Sequence, residues 1–364
     1  MPTPLPPAIA WTPALAAASA EAHLLLGRLA GEGGRLPNPH ILIRPFVRRE
    51  AVLSSKIEGT QATLGELLAA EAGAAVARSP RDLREVANYV VAMEHGVRRL
   101  KALPLSQRLV LELHTKLMRG VRGGAAHPGE FRPVQNWIGR PGSTIETATY
   151  VPPPPEELPG CLDAWESFLH DRALPPLVQI ALAHYQFEAI HPFVDGNGRV
   201  GRLLISLYLI ERDILPAPLL YLSAFFEQTR LDYYALLRRV TERGEWGPWL
   251  EYFLTGVARM STDVVGRAAR INALMAAWQK RLAGTPRAAQ LLVPHLAENP
   301  FVTANGAAAR LRVAFTTAQR AIGVLEGKKM LQQVAGARRD RVYCAQALLK
   351  ILEAPADLAA EGRR

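Results

Sequence analysis

Apolar residues recur at i, i+3 and i+4 along most of this chain, a spacing that lines them up on one face of an α-helix. Segments near 80–101, 104–119, 156–170, 176–190, 199–212, 230–243 and 247–282 carry the pattern, with Pro or Gly at many of their ends. Strand patterns are sparse. The chain therefore reads as mainly α, built from helices that bury their apolar faces against one another.

Composition narrows the class further. With 49% hydrophobic and 21% charged residues over 364 positions, the chain is globular rather than disordered or fibrous. The longest apolar stretches, such as Leu203 to Ile210, fall far short of the roughly 18 residues of a membrane span, so no membrane partner is expected. Ala16 to Ala20 resemble a secretory cleavage region, but no Lys or Arg precedes Arg28 and prolines from Pro2 to Pro13 break the apolar stretch, so no export signal is read. Two distant cysteines, Cys161 and Cys344, suit a reducing cytoplasm.

Two regions depart from the helical rhythm. Phe131 to Pro155 contains a turn-rich break at Gly139, Pro141 and Gly142, the β-prone run Thr147, Ala148, Thr149, Tyr150 and Val151, and four closing prolines. This predicts an irregular hairpin or loop among helices, where function often resides. The tail reads as a helix over Arg287–Ala297, a helix-turn-helix over Val302–Leu311 and Thr316–Lys329, then two short β-prone runs, 331–334 and 341–343, around a basic tip at Arg338 and Arg339. That is the order of a winged-helix module. From Thr285 onward 12 basic residues face 6 acidic ones, so the last fifth of the chain carries +6 of the formal +10. Such asymmetry marks either a nucleic-acid contact or a solvated basic face.

The densest chemistry lies in His191-Pro192-Phe193-Val194-Asp195-Gly196-Asn197-Gly198-Arg199-Val200-Gly201-Arg202. Helical patterns flank it, so the polar cluster caps the start of the second helix, where free N–H groups and the macrodipole attract anions. For a nucleotide triphosphate, Arg199 and Arg202 neutralise phosphate charge, Asp195 holds Mg²⁺ between phosphates, and His191 takes a proton from an attacking hydroxyl. Gly196, Gly198 and Gly201 also fit G-x-G-x-x-G, yet a helix rather than a strand precedes them and no acidic residue follows at the distance a Rossmann fold needs.

This segment resembles the signature of the Fic family, H-x-F-x-[DE]-G-N-G-R-x-x-R, at every specified position. Gly129-Glu130-Phe131-Arg132, Gln135-Asn136-Trp137-Ile138-Gly139 and Tyr150-Val151-Pro152-Pro153 resemble the family's approach to its target-binding flap. The resemblance implies an all-helical Fic core with a β-hairpin flap, plus the C-terminal winged-helix domain. It implies AMP transfer from ATP, with Mg²⁺, to a protein hydroxyl: His191 as general base, Asp195 as metal ligand, and Asn197 with the loop amides cradling the α-phosphate. Relatives with Lys in place of Gly198 transfer phosphate instead. Tyr233 and Tyr234 resemble the family's tyrosine pair near adenine; plain core packing is the competing reading, and Thr241 stands where a relative has Asn.

Upstream, Ser54-Ser55-Lys56-Ile57-Glu58-Gly59 resembles the family's inhibitory pattern [ST]-x-x-x-E-[GN], which implies that Glu58 pairs with Arg202 and misplaces ATP. An ordinary helix end capped by Gly59 is the blander alternative. The expected organisation is an N-terminal helical region over 1–100 with an inhibitory helix near 46–59, a core over 101–255, a connecting helix over 256–284, a winged helix over 285–352 and a tail over 353–364. Expected partners are a protein substrate, the chain itself as an AMP acceptor, a homodimer, and DNA through residues 285–350. Two alternatives stay open: a DNA-binding regulator that uses the core as a sensor, and removal of AMP by the same site.

Overall fold

The N-terminal prolines end where helix formation becomes favourable. Pro13 supplies a preset φ at the first helical position and strong helix formers follow, which starts α1 (Pro13–Arg35). In this computed structural model, residues 2–35, 39–76, 79–121, 127–140, 142–334 and 341–358 are described. Next come α2 (Pro39–Ile57), α3 (Leu64–Glu71), α4 (Pro80–Arg99) and α5 (Gln107–Leu117). Thr63 and Glu66 form a reciprocal capping box that fixes the start of α3.

A mostly apolar helix with no solvent-facing stripe must be enclosed. That describes α7 (Pro176–Ile190), which follows α6 (Leu158–His170) and precedes α8 (Asn197–Glu211). Every residue of α7 from Leu177 to Ile190 except Glu188 is buried. Buried indole N–H groups of Trp165 and Trp249 find acceptors in the α7 carbonyls of Ala183 and Ala181, each at 3.0 Å. Around this centre run α9 (Ser223–Gln228), α10 (Arg230–Arg243) and α11 (Trp246–Arg281). The last is a single helix of 36 residues, so the expected boundary between 255 and 256 falls inside continuous structure.

The tail follows the order α12 (Arg287–Glu298), β1 (Phe301–Thr303), α13 (Ala304–Leu311), α14 (Phe315–Gly327), β2 (Gln332–Gln333), β3 (Val342–Cys344) and α15 (Gln346–Glu353). Its sheet is antiparallel with β3 between β1 and β2. Val302 therefore belongs to a strand rather than to the expected helix, which starts at Ala304 with the Thr303 hydroxyl as its cap. Arg338 and Arg339 lie outside the described residues.

In the loop over 131–155, Ile138 and Tyr150 exchange two main-chain hydrogen bonds of 2.8 and 3.0 Å and make the one isolated bridge among the described residues. Thr147, expected in the β-prone run, instead closes a 3₁₀ turn over Ile145–Thr147. Among the described residues, no helix is long and apolar enough to cross a membrane.

Helix α2 lies between the central helices and the tail. It begins at Pro39, upstream of the expected 46, and runs through Pro45. Arg49 donates to the Leu352 carbonyl and, at 2.9 Å, to that of Ala354 just past α15. Asn299 reaches the Leu68 carbonyl at 2.9 Å, and Gly65 N–H donates to Glu353 at 2.9 Å. Beside Arg49, the fully buried Arg267 of α11 pairs with Asp263 at 2.9 Å and donates to the Tyr221 hydroxyl and the Ile351 carbonyl. Breaking such a pair from one side strands a buried charge. Arg267→Ala should destabilise the fold by about 3–5 kcal/mol, read as a lower urea midpoint.

Candidate active site

The turn between α7 and α8 shapes the site. His191 ends α7 in the left-handed region, at φ +49°, and Pro192 prevents the helix from continuing. Gly196 begins α8 at φ +84°. Between them the side chain of Asn197 grips one residue twice: its Oδ1 accepts the Phe193 N–H and its Nδ2 donates to the Phe193 carbonyl, both at 2.8 Å. Asn197 thus shapes the loop, with one of its two amide N–H groups committed to the Phe193 carbonyl. No side chain caps α8, which leaves its first-turn N–H groups to an anion.

The flap is bolted to this loop. Arg132, buried, donates to the His191 carbonyl at 2.9 Å, to that of Val134 at 3.1 Å and to that of Pro153. Its own N–H bonds the Pro192 carbonyl at 2.9 Å. Asn136 reaches the Phe193 carbonyl at 3.0 Å, Gln135 reaches that of Pro152 at 3.0 Å, and the Tyr150 hydroxyl reaches that of Ala189 at 2.7 Å. Both arms of the flap, residues 132–138 and 150–153, are therefore tied to the end of α7 and the turn that follows it.

The imidazole of His191 lies 3.2 Å through Nδ1 from the Glu188 carbonyl, which assigns the proton to Nδ1 and leaves Nε2 as an acceptor. Burial lowers its pKa to about 4, against the raising effects of the Glu188 carbonyl and of Glu58. It is neutral at pH 7, as a general base must be. Asp195, 47% exposed, accepts the Gly196 N–H at 2.6 Å and lies 3.5 Å from Arg199. Arg199 is buried; its nearest carboxylates, Glu85 and Asp195, are 3.6 and 3.5 Å away, and its Nε and Nη1 find no hydrogen-bond acceptor. A buried guanidinium with unused donors is a site for an anion.

Arg202 is held from α2 and the turn that follows it. Its Nε donates to the Ser54 hydroxyl at 2.9 Å, and its Nη2 donates to the Ser54 carbonyl at 3.0 Å and to Glu58 at 2.6 Å. Burial acts to raise the Glu58 pKa, but Arg202, with Arg199 and His191 behind it, holds it below the ordinary carboxylate value. Room for this contact comes from Gly198, where a Cβ would lie 2.4 Å from Glu58 Oε1 and 2.8 Å from Arg202 Nη1. Gly59, at φ +96°, closes α2 with its N–H on the Lys56 carbonyl while Thr60 N–H bonds that of Ser55. Capping and pairing thus coexist.

The remaining candidates divide. Tyr233 is buried, its hydroxyl 2.9 Å from His184 Nε2, so core packing describes it. Tyr234 is partly exposed beside Arg230, near enough for Glu58 and Arg202 to act on its hydroxyl. Val200 is buried. Gly201 makes room for Glu188, whose Oε1 would meet a Cβ there at 2.5 Å. Thr241 bonds Tyr185 at 2.9 Å. Sequence reasoning missed His114 of α5 and Glu85 of α4. His114 showed only as a polar residue on an otherwise apolar helix face.

Residues 16–98 match the model of the Fic/DOC family N-terminal region and residues 104–209 that of the Fic/DOC family, together just over half of the chain. Protein adenylyltransferase Fic of Drosophila virilis is 31% identical over 173 residues, covering 45% of this chain and 32% of that protein. Protein adenylyltransferase fic-1 of Caenorhabditis elegans is 30% identical over 210 residues, 54% of this chain and 37% of that protein. The chain thus spans about a third of the length of the curated relatives it matches. Among solved structures, a Fic family protein from Desulfovibrio desulfuricans G20 aligns with a TM-score of 0.63 at 22% identity over 98% of this chain and 99% of its own. Fic-1 of C. elegans aligns with a TM-score of 0.54 at 23% identity over 71% and 74%. With the N-terminal match enclosing Glu58 and the second match enclosing the turn from His191 to Arg202, the chain belongs to the Fic/DOC family.

Proposed function

We propose that this chain transfers AMP from ATP to a hydroxyl of a protein, and that Glu58 restrains the reaction. The observation that carries the reading is a neutral imidazole and two buried guanidiniums converging on one uncapped helix N-terminus. Relatives named protein adenylyltransferases support it. His191 Nε2 takes the proton of the target hydroxyl, whose oxygen bonds the α-phosphorus while the bond to the pyrophosphate breaks. Arg199 and Arg202 bind the outer phosphates, and the flap around Thr147–Val151 presents the target backbone. Tyr234 stands where an adenine could stack.

Asp195 fits a magnesium ion, since one partly exposed carboxylate with phosphate oxygens is a common way to hold it. The ion would offset phosphate charge. In this reading, residues 1–100 restrain a core over 101–255, and ATP and two free thiols suit the cytoplasm. The described part of 285–352 has the element order of a winged helix, whose α14 exposes Thr316, Gln319 and Arg320. A second reading, duplex DNA as partner of that module, rests on this connectivity; binding that weakens steeply with salt, and further in Arg320→Ala, is its expected signature.

Glu58 places a carboxylate where an outer phosphate would pair with Arg202. A hydrogen bond between charged groups contributes about 1.5–3 kcal/mol, and with Glu58 37% exposed the lower end applies. Glu58→Gly should raise AMP transfer about tenfold, measured as protein-bound label from α-³²P-ATP with none from γ-³²P-ATP. Arg202→Ala should be inactive alone and in combination with Glu58→Gly. A Glu58→Gly chain that folds yet transfers no faster than the parent overturns the restraint.

The acid limb of activity follows from the depressed His191 pKa. The imidazole loses its base function only when protonated, so the kcat/KM profile of the Glu58→Gly protein should fall at or below about pH 4 rather than near 6.5. Removing Glu58 moves the limb down, because that carboxylate raises the pKa.

A further inference from the structure

His114 stands outside the signature segment, on α5, and is fully buried. Its ring stacks on Phe193 with centroids 3.7 Å apart and planes 9° from parallel. The Gly129 N–H can only donate, so Nδ1, 2.9 Å away, accepts. That places the ring proton on Nε2, which donates to the Asp195 carbonyl at 3.0 Å. One imidazole thus joins the base of the flap to the loop before α8.

The carbonyl it holds belongs to the peptide leading into Gly196, at φ +84°. Glycine tolerates either orientation of such a peptide, so its own sterics do not choose one. Turned over, the peptide would aim a partly negative oxygen at the anion-binding end of α8 and withdraw the Gly196 N–H from Asp195. The ring packs close enough that a Cβ on Gly196 would lie 3.6 Å from its Cδ2. We propose that His114 is a positioning residue that locks the Asp195–Gly196 peptide with its carbonyl turned away from the anion site, and so sets the affinity for a magnesium nucleotide. The proposal rests on the nucleotide reading above.

Calorimetric titration of the full-length Glu58→Gly chain with MgATP tests it, with His114→Phe and His114→Gln in the same background. Phe keeps the stack on Phe193 and loses both hydrogen bonds; Gln offers an acceptor and a donor to replace them. His114→Phe should weaken MgATP binding about tenfold or more, and His114→Gln should restore most of it. Unchanged affinity in His114→Phe overturns the proposal, as does a Gln variant as weak as the Phe variant. Should His114→Phe not fold, ¹⁵N shifts of the wild-type ring decide: the Nε2–H tautomer is expected and the Nδ1–H tautomer overturns the lock. A background that binds MgATP but transfers no AMP refutes the catalytic reading and leaves the His114 comparison intact; one that binds no MgATP refutes both.

Discussion

A guanidinium cannot shed its charge at any pH a protein survives, and Arg202 keeps its charge at 2% exposure. Burying such a group demands a partner, or the cost runs to several kcal/mol. Helix α2 and the turn after it meet the demand with the Ser54 hydroxyl, the Ser54 carbonyl and the Glu58 carboxylate. Much of the N-terminal architecture serves to keep that helix in place, including Glu50, whose carboxylate accepts from the Ser223 hydroxyl at 2.5 Å and from the Tyr89 hydroxyl at 3.3 Å. The Glu58 contact is thus also part of what makes a buried arginine tolerable. An anion bound at Arg202 could replace Glu58 without leaving the charge alone.

Rigidity on the other side of the site has a similar origin. The turn from His191 to Gly196 lacks regular structure, so its main-chain groups must find partners elsewhere. Arg132, Asn136 and Asn197 supply them, and each takes carbonyls from the turn, from the flap or from both. A loop long enough to sample many conformations is thereby held in one, which fixes the position of the His191 imidazole relative to the flap.

What the sequence revealed and what it hid divides along one physical line. The grouping of His191, Asp195, Arg199, Arg202 and Glu58 was legible because their side chains are ionisable and their spacing is local or matches a known pattern. The part played by Asn197 was not, since its partner is the main chain of Phe193, which no residue letter encodes. His114 and Arg132 act across long sequence separations, on carbonyls that any residue could supply. Strand β1 escaped because three residues ahead of a helix carry no period-2 signal. Helical segments from 80 to 282 were legible because apolar spacing over several turns is strong evidence of a buried face.

Two arginines at the seam between the central helices and the tail take acceptors from a single short stretch of chain, the carbonyls at and just after the end of α15. Arg49 belongs to the helix that carries Ser54, and Arg267 to the long α11. Cutting the chain after α11 would remove those acceptors from both guanidiniums, leaving Arg267 with Asp263 and the Tyr221 hydroxyl. The tail is therefore not an independent cassette: a replacement that keeps this seam has to offer acceptors to the same two cations.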